Sequence, residues 1–424
     1  MNEHETFVIV GAGLAGAKAA QTLREEGFTG RIQLVGAETE RPYERPPLSK
    51  AYLTGAAERD TAYVHPAAWY DEQDVELITG NAARSLDVAA HEVTLDGGER
   101  LRYDRLLLTT GASPRRLPVP GADLDGVHYL RRIQDADRLR AALTGGGRRV
   151  VVIGGGWIGL ETAAAARGHG NEVTIVEPQP TPLRAALGEE LGQMFADLHR
   201  DNGVDLRTGT GVRELAGHDG RVTAVVTDGG ERLPADLVIV GVGVRPDTEL
   251  AESAGLEVDD GIVVDEALRT SAPDIYAAGD VANAYHPLLG RRLRVEHWAN
   301  ALNGGPAAAR SMLGRHVVYD RVPYFYTDQY DLGMEYSGHA GPGGYDRLVY
   351  RGDRRGRRFI AFWLSGGRVV AGMNVNMWDV TGDIQALIRS AAPVDPQRLA
   401  NTDVPLVDLL PARMREEESR PSGD

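Results

Sequence analysis

The stretch Phe7-Val8-Ile9-Val10-Gly11-Ala12-Gly13-Leu14-Ala15-Gly16 decides the fold. An apolar strand runs straight into a GxGxxG loop. An alanine-rich helix follows through Lys18, Ala19, Ala20 and Leu23 to Glu26, where Gly27 stops it. A second strand, Arg31-Ile32-Gln33-Leu34-Val35, then leads to an acid, Glu38. This is the layout of a dinucleotide-binding unit. The first glycine permits the tight turn, the second lets backbone N–H groups approach a pyrophosphate, and the third lets helix pack on strand. The N-terminus of the helix then faces the phosphate charge.

Glycine makes up 52 of the 424 residues, roughly 12% against a usual 7%, so roughly one GxGxxG is expected by chance. Context decides, and here the context occurs twice. Arg149-Val150-Val151-Val152-Ile153 enters Gly154-Gly155-Gly156-Trp157-Ile158-Gly159, a helix runs through Leu160, Glu161 and Ala163 to Ala166, and Glu172-Val173-Thr174-Ile175-Val176 ends at Glu177. Two full strand–loop–helix–strand–acid units are hard to reconcile with bare turns. Glu177 can accept hydrogen bonds from both hydroxyls of an adenosine ribose, whereas a 2′-phosphate there would meet a like charge. No arginine follows before Arg184, which favours NADH over NADPH. Glu38 reads the same way for the first cradle, although Glu40 and Glu44 beside it also fit a solvated acidic loop.

Composition narrows the chemistry. With 46 basic and 61 acidic side chains the net charge is −15, which argues against a nucleic-acid binder needing a cationic face. No apolar run approaches bilayer length and the opening residues lack a basic leader, so a cytoplasmic protein that makes no membrane contact is expected. The chain has no cysteine, so redox disulfides, thiolate metal sites and protein-ligated iron–sulfur clusters are excluded, and no metal site is expected. Only Lys18 and Lys50 are lysines, beside 44 arginines.

The motifs around the cradles resemble a known family. They are Arg41-Pro42-Tyr43-Glu44-Arg45-Pro46-Pro47-Leu48-Ser49-Lys50, Leu107-Leu108-Thr109-Thr110-Gly111-Ala112, Gly241-Val242-Gly243-Val244-Arg245-Pro246-Asp247 and Ile275-Tyr276-Ala277-Ala278-Gly279-Asp280-Val281-Ala282. Together they resemble the FAD- and NADH-dependent ferredoxin reductases of putidaredoxin-reductase type that serve bacterial cytochromes P450 and ring-hydroxylating dioxygenases. The resemblance covers nearly the whole chain and implies an α/β fold with two Rossmann-like domains arranged as in glutathione reductase, plus a C-terminal α+β domain.

It also implies site residues. Gly11, Gly13, Leu14, Ala15 and Gly16 would hold the FAD pyrophosphate, Glu38 its adenosine side, and Arg45 and Arg131 would add charge. Thr110, Gly111, Gly279, Asp280 and Trp298 complete the implied FAD set, with Asp280 on a ribityl hydroxyl. Asp280 also reads as the N-cap of a helix, and both roles are expected together. Gly154, Gly156, Trp157, Ile158, Gly159, Glu177 and Gly243 would hold NADH. The resemblance pairs Lys50 with Glu161 beside flavin N5, which places Lys50 in the FAD set and Glu161 in the NADH set. A lysine retained in so arginine-rich a chain suggests that a compact ammonium is required there, whereas Glu161 by itself also reads as an ordinary first-turn helix acid. Tyr326 stands where the family carries a partner-facing tryptophan.

The apolar strands Leu106-Leu107-Leu108 and Leu237-Val238-Ile239-Val240 mark the exits of the two nucleotide domains. The expected boundaries are 1–112 with 243–321 for FAD, 113–242 for NADH, 322–412 for the C-terminal domain and 413–424 as a disordered tail. Strands at Leu348-Val349-Tyr350, Phe359-Ile360-Ala361-Phe362-Trp363 and Val369-Val370-Ala371, then a helix near Ile384, Leu387 and Ile388, are expected in the last domain.

Flavin converts a hydride into single electrons, and with no cysteine to receive them these must leave for something diffusible. The implied partner is a small iron–sulfur ferredoxin. Such proteins are usually acidic, so a cationic patch would be needed for steering, with candidates Arg291, Arg292, Arg294, Arg310 and the run from Arg351 to Arg358, although Arg354-Arg355-Gly356-Arg357-Arg358 on a hairpin reads rather as a solvated face. An NADH oxidase or quinone reductase without redox cysteine is the alternative enzyme. An NADH-sensing interaction flavoprotein like apoptosis-inducing factor is the alternative of another class.

Overall fold

The strand Thr6–Val10 lies at the centre of a five-stranded parallel sheet, in the order Ile275–Ala277, Arg105–Leu108, Thr6–Val10, Arg31–Val35, Val75–Ile78. Phe7, Val8, Ile9 and Val10 are all buried, as strands covered on both faces must be. This is a computed structural model, and it describes residues 4–341 and 343–412. The expected tail 413–424 lies outside the described residues.

The sheet is built a second time around Arg149–Ile153, in the order Asp205–Thr208, Glu172–Glu177, Arg149–Ile153, Leu237–Val240, Val127–Tyr129, again all parallel. Each copy carries a three-stranded antiparallel meander, Ala83–Asp87 to Arg100–Arg102 in the first and Val212–His218 to Arg232–Pro234 in the second. In each the next strand, Arg105–Leu108 or Leu237–Val240, returns to pair with the central one. The likeness of those two apolar runs therefore reflects equivalent places in a repeated topology.

The chain divides into two compact units. One comprises the chain up to Pro47 with Ala57–Pro114 and Val244–Arg321, and the other comprises Leu48–Ala56, Arg115–Gly243 and the chain from Val322 on. Two groupings differ from the sequence expectation. Leu48–Ala56 joins the second unit, and so does the C-terminal region. The cause is a shared core: Leu53, Leu139, Leu160 and Phe195 pack in one cluster with Phe359, Trp363 and Met373. The C-terminal sheet is antiparallel, in the order Tyr324–Gln329, Leu332–Gly338, Arg368–Val375, Arg358–Ser365, Arg347–Asp353, with the helix Thr381–Ser390 burying Ile384, Leu387 and Ile388. Its first two strands, Tyr324–Gln329 and Leu332–Gly338, were not foreseen from sequence.

The glycine spacing has a steric cause that differs by position. A Cβ on Gly159 would stand 2.0 Å from the Gly154 carbonyl oxygen, whereas a Cβ on Gly156 would meet nothing nearer than 4.0 Å. Gly159→Ala is therefore expected to lower unfolding free energy by ~2 kcal/mol or more through backbone displacement. Gly156→Ala should stay near the parent. Thermal unfolding of the two variants side by side checks this.

Candidate active site

Both loops share one steric design. A Cβ on Gly11 would lie 2.0 Å from the Thr109 carbonyl oxygen, and one on Gly154 would lie 2.3 Å from that of Gly241. The third glycines are as tight: a Cβ on Gly16 would fall 2.2 Å from the Gly11 oxygen. The middle glycines differ, since Gly13 faces open space. The helices Leu14–Glu25 and Trp157–Gly168 start at Gly13 and Gly156 without a side-chain cap. Uncapped N–H groups beside an open middle glycine fit the pyrophosphate of a dinucleotide in each loop.

The acids after the two cradles are used differently. Glu38 accepts from the Tyr43 hydroxyl at 2.5 Å and from Arg45 at 3.1 Å, and Arg45 also donates to the Tyr43 oxygen at 3.2 Å. Burial opposes the charge on Arg45, but Tyr43, Glu38 and Asp280 outweigh it and raise its pKa above the ordinary arginine value. Glu177 is buried and carries no cation: Oε2 accepts from the Gly155 N–H at 2.6 Å and Oε1 from the Gln179 N–H at 2.8 Å. Arg184 turns to Gln179 and Glu189, at 3.4 and 3.9 Å.

Asp280 departs from its expected secondary role. No helix follows it; the single 3₁₀ turn Gly279–Val281 runs directly into the strand Ala282–His286, and no side chain caps that turn. Gly279 takes a left-handed φ of 79°, and a Cβ there would sit 3.2 Å from the Ala15 methyl, so the close approach sets the turn. In the same unit Trp298 opens the helix Trp298–Met312 and donates to Glu44 at 3.2 Å. Thr110 donates to the Asp247 carbonyl at 2.7 Å, and Gly111 accepts from the Asp247 N–H at 3.0 Å.

Lys50 and Glu161 meet in the second unit. Lys50 Nζ lies 2.8 Å from Glu161 Oε1, and the Glu161 side chain is only 3% exposed. The carboxylate accepts twice more, from Ser49 Oγ at 2.5 Å on Oε2 and from Thr327 Oγ1 at 2.6 Å on Oε1. Tyr326 offers its ring face to Lys50, with 5.3 Å from Nζ to the ring centre. Ser49, Thr327, Tyr43 and Glu44 received no role from sequence. The signal available for Thr327 was the alternation of Phe325, Thr327 and Gln329, which points polar residues inward along a strand.

The other expected residues are placed as follows. Arg131 belongs to the second unit, where its N–H donates to Asp135 at 3.2 Å. Gly243 accepts from the Arg115 N–H at 2.9 Å. Ile158 is an exposed apolar residue in the second loop. Arg310 is paired with Glu26 at 2.8 Å. Among the other candidate steering arginines, Arg294 pairs with Asp260 and Glu296, Arg354 with Glu190 and Arg357 with Asp201. Arg351 is buried and donates to the carbonyls of Leu399, Asn401, Thr402 and Val404. Among the described residues no cluster could hold a metal ion, and no helix is long and apolar enough to cross a membrane.

Two dinucleotide loops, each followed by a differently used acid, define an oxidoreductase that works on a pair of dinucleotides. The sequence profile of the pyridine nucleotide-disulphide oxidoreductases matches residues 5–305, and that of the reductase C-terminal domain matches 324–410. Putidaredoxin reductase of Pseudomonas putida is 39% identical over 98% of this chain and 99% of its own length. The ferredoxin–NAD(+) reductase component of the anthranilate 1,2-dioxygenase system of Burkholderia cepacia is 42% identical over 96% of this chain and 99% of its own. The crystal structure of the covalent putidaredoxin reductase–putidaredoxin complex superposes with a TM-score of 0.93 at 38% identity, covering 99% of this chain and 100% of that one. The chain belongs to the pyridine nucleotide-disulphide oxidoreductase family, in its putidaredoxin-reductase-like group of ferredoxin reductases. The family uses FAD and NAD(H).

Behind the Lys50–Glu161 pair, His199 is fully buried and its Nε2 stands 2.9 Å from Gln329 Oε1. Burial lowers its pKa to about 4, although the Gln329 bond works the other way. The unfolded chain therefore binds a proton near pH 6.5 that the folded chain refuses until about pH 4. Stability from this residue is fully present above pH 6.5 and is lost as pH falls toward 4, by up to ~3 kcal/mol. His65, also buried and lowered to about 4, acts in the same direction. Thermal midpoints should drop between pH 7 and pH 5, and His199→Leu should flatten part of that slope.

Proposed function

We propose that this protein takes hydride from NADH onto FAD and passes electrons one at a time to a small iron–sulfur ferredoxin feeding a cytochrome P450 or Rieske-type oxygenase. The observation that carries this reading is two cradles of one steric design in a chain without cysteine. Such a chain has no internal disulfide to reduce, so its electrons go to a separate acceptor. The relatives' names support the kind of acceptor, since one relative belongs to a dioxygenase system and another was solved joined to putidaredoxin. A cytoplasmic location is part of the same proposal, supported by the choice of NADH as donor.

Bound FAD would supply the exchange between a hydride pair and single electrons. The chain's own residues bind and orient. The N–H groups of Leu14, Ala15 and Gly16, opened by Gly11 and Gly13, would receive the FAD pyrophosphate, with Arg45 neutralising charge and Glu38 fixing Arg45. Thr110 and Gly111, Gly279 with Asp280, and Trp298 with its Glu44 bond are proposed to line the rest of that site. Gly154, Gly156 and Gly159, with Trp157 and Ile158 at the helix start, would receive NADH. Glu177 keeps a lone pair on each oxygen for the two ribose hydroxyls, and its unneutralised charge disfavours a 2′-phosphate. Lys50 and Glu161 are proposed to govern hydride acceptance, with a fixed ammonium whose position Glu161 sets.

The purified protein should be yellow and bleach rapidly when mixed with NADH in a stopped-flow instrument, far more slowly with NADPH, and recover colour on adding an oxidised ferredoxin. Lys50→Ala should retain flavin but be reduced at least about tenfold more slowly, the equivalent of ~1.4 kcal/mol of barrier. Reduction at the parent rate would remove Lys50 from the mechanism.

A further inference from the structure

The hydrogen bonds leading away from Glu161 form one continuous chain through the second unit. Thr327 Oγ1 stands 2.6 Å from Glu161 Oε1, Gln329 Nε2 3.2 Å from Thr327 Oγ1, His199 Nε2 2.9 Å from Gln329 Oε1, and the Tyr330 hydroxyl 3.2 Å from His199 Nδ1. Glu161, Thr327, Gln329 and His199 are all buried, with Thr327 and His199 at 0% exposure. Only Tyr330, on the turn between the first two strands of the C-terminal sheet, is partly open to solvent.

The direction of the chain follows from the charge at its inner end. An ionised carboxylate beside a lysine only accepts, so the single hydrogen of Thr327 must point at Glu161. The Thr327 oxygen must then accept from the Gln329 amide nitrogen, which turns Gln329 Oε1 toward His199. That oxygen requires a hydrogen on His199 Nε2, so Nδ1 is left bare to accept from Tyr330. Burial keeps the imidazole neutral, and every donor along the line faces inward. The amide of Gln329 cannot hand on a proton without becoming an imidic acid. The chain therefore orients rather than conducts.

We propose that Thr327, fixed in its donating rotamer by Gln329, His199 and Tyr330, is a positioning residue that holds the Glu161 carboxylate turned to Lys50. With the chain reversed, a Thr327 lone pair would face a lone pair of Glu161 Oε1 at 2.6 Å, a repulsive contact that would turn the carboxylate away from Lys50. The chain thus fixes which way the carboxylate faces, toward the ammonium. This rests on the proposed role of Lys50 and Glu161 in hydride acceptance.

The test uses the flavin-loaded full-length protein. Thr327→Val keeps shape and removes the donor. Its limiting rate of flavin reduction at saturating NADH should fall roughly tenfold, as for loss of a hydrogen bond to a charged group, with the NADH dissociation constant unchanged. Thr327→Ser should restore the rate. Nitrogen-15 NMR of the parent's imidazoles, with His199→Leu for assignment, should show His199 neutral and protonated on Nε2 at pH 7. Protonation on Nδ1 would overturn the proposal without reference to activity, and so would a Thr327→Val enzyme as fast as the parent while Lys50→Ala is slow. Equal slowing in the Val and Ser variants, or a raised NADH dissociation constant in place of a slower limiting rate, would reduce Thr327 to a packing residue and also overturn it. If Lys50→Ala were as fast as the parent, the failure would lie in the function assigned to the ion pair.

Discussion

A carboxylate removed from water has to be compensated by its neighbours, and in this protein that requirement falls on Glu161. Removing such an ion from solvent costs several kcal/mol even after relaxation. The compensation comes from three donors on two chain segments remote from the helix of Glu161: Ser49 and Lys50 from one, Thr327 from the other. Lys50 sits where the 3₁₀ turn Pro46–Ser49 passes into the short helix Ala51–Thr54, with φ −119° and ψ −116°. That break from helical geometry lets two consecutive side chains reach one carboxylate. Loss of any donor would leave a charge buried and under-paired, which is dearer than the bond is worth when intact. The shared apolar core that joins Leu48–Ala56 and the strand Tyr324–Gln329 to the second cradle is what brings these donors to Glu161.

Sterics impose a parallel constraint on the cradles. Each first and third glycine is fixed by a carbonyl oxygen that a methyl group would strike, while the middle glycine is fixed by nothing in the protein. Its smallness serves what approaches the loop from outside. The repeated scaffold nevertheless carries different electrostatics. Glu38 shares its charge with Arg45 and Tyr43, so the first cradle presents a cation braced by an anion. Among the described residues Glu177 accepts from main-chain N–H groups, those of Gly155 and Gln179, with no arginine beside it. One fold position thus braces an arginine in one copy and accepts main-chain N–H groups in the other.

Much of this was legible in the sequence because it is local. Strand, loop, helix and acid follow one another within about thirty residues in each copy, and the glycine spacing reports contacts made across one turn. Asp280 marks the limit of that reading: a strand followed by Gly-Asp looks like a capped helix until the sheet claims the next five residues as Ala282–His286. The meeting of Thr327 with Glu161 and of Gln329 with His199 was beyond reach for another reason. Thr327 lies 166 residues from Glu161 and Gln329 lies 130 from His199, so their meeting depends on packing that no local pattern encodes. Four of the candidate steering arginines, Arg294, Arg310, Arg354 and Arg357, meet acids that composition could not assign to them. Arg351 is the extreme case, a cation spent wholly on main-chain carbonyls.

The lone lysine at this site then acquires a physical reason. Arginine binds a carboxylate best with two parallel N–H bonds, one to each oxygen. On Glu161 that geometry is closed: Ser49 occupies Oε2 at 2.5 Å, and Thr327 shares Oε1 at 2.6 Å. A single ammonium can still approach Oε1 end-on while the Tyr326 ring covers its other side, 5.3 Å from Nζ. A planar guanidinium there would have to displace a hydroxyl or leave several donors unmet in a buried place. Lys18, the other lysine, bonds Gln21 at 2.8 Å on a partly exposed helix face, where an arginine would meet no such restriction. It is the two hydroxyls crowding Glu161, rather than charge as such, that make the compact cation necessary at position 50.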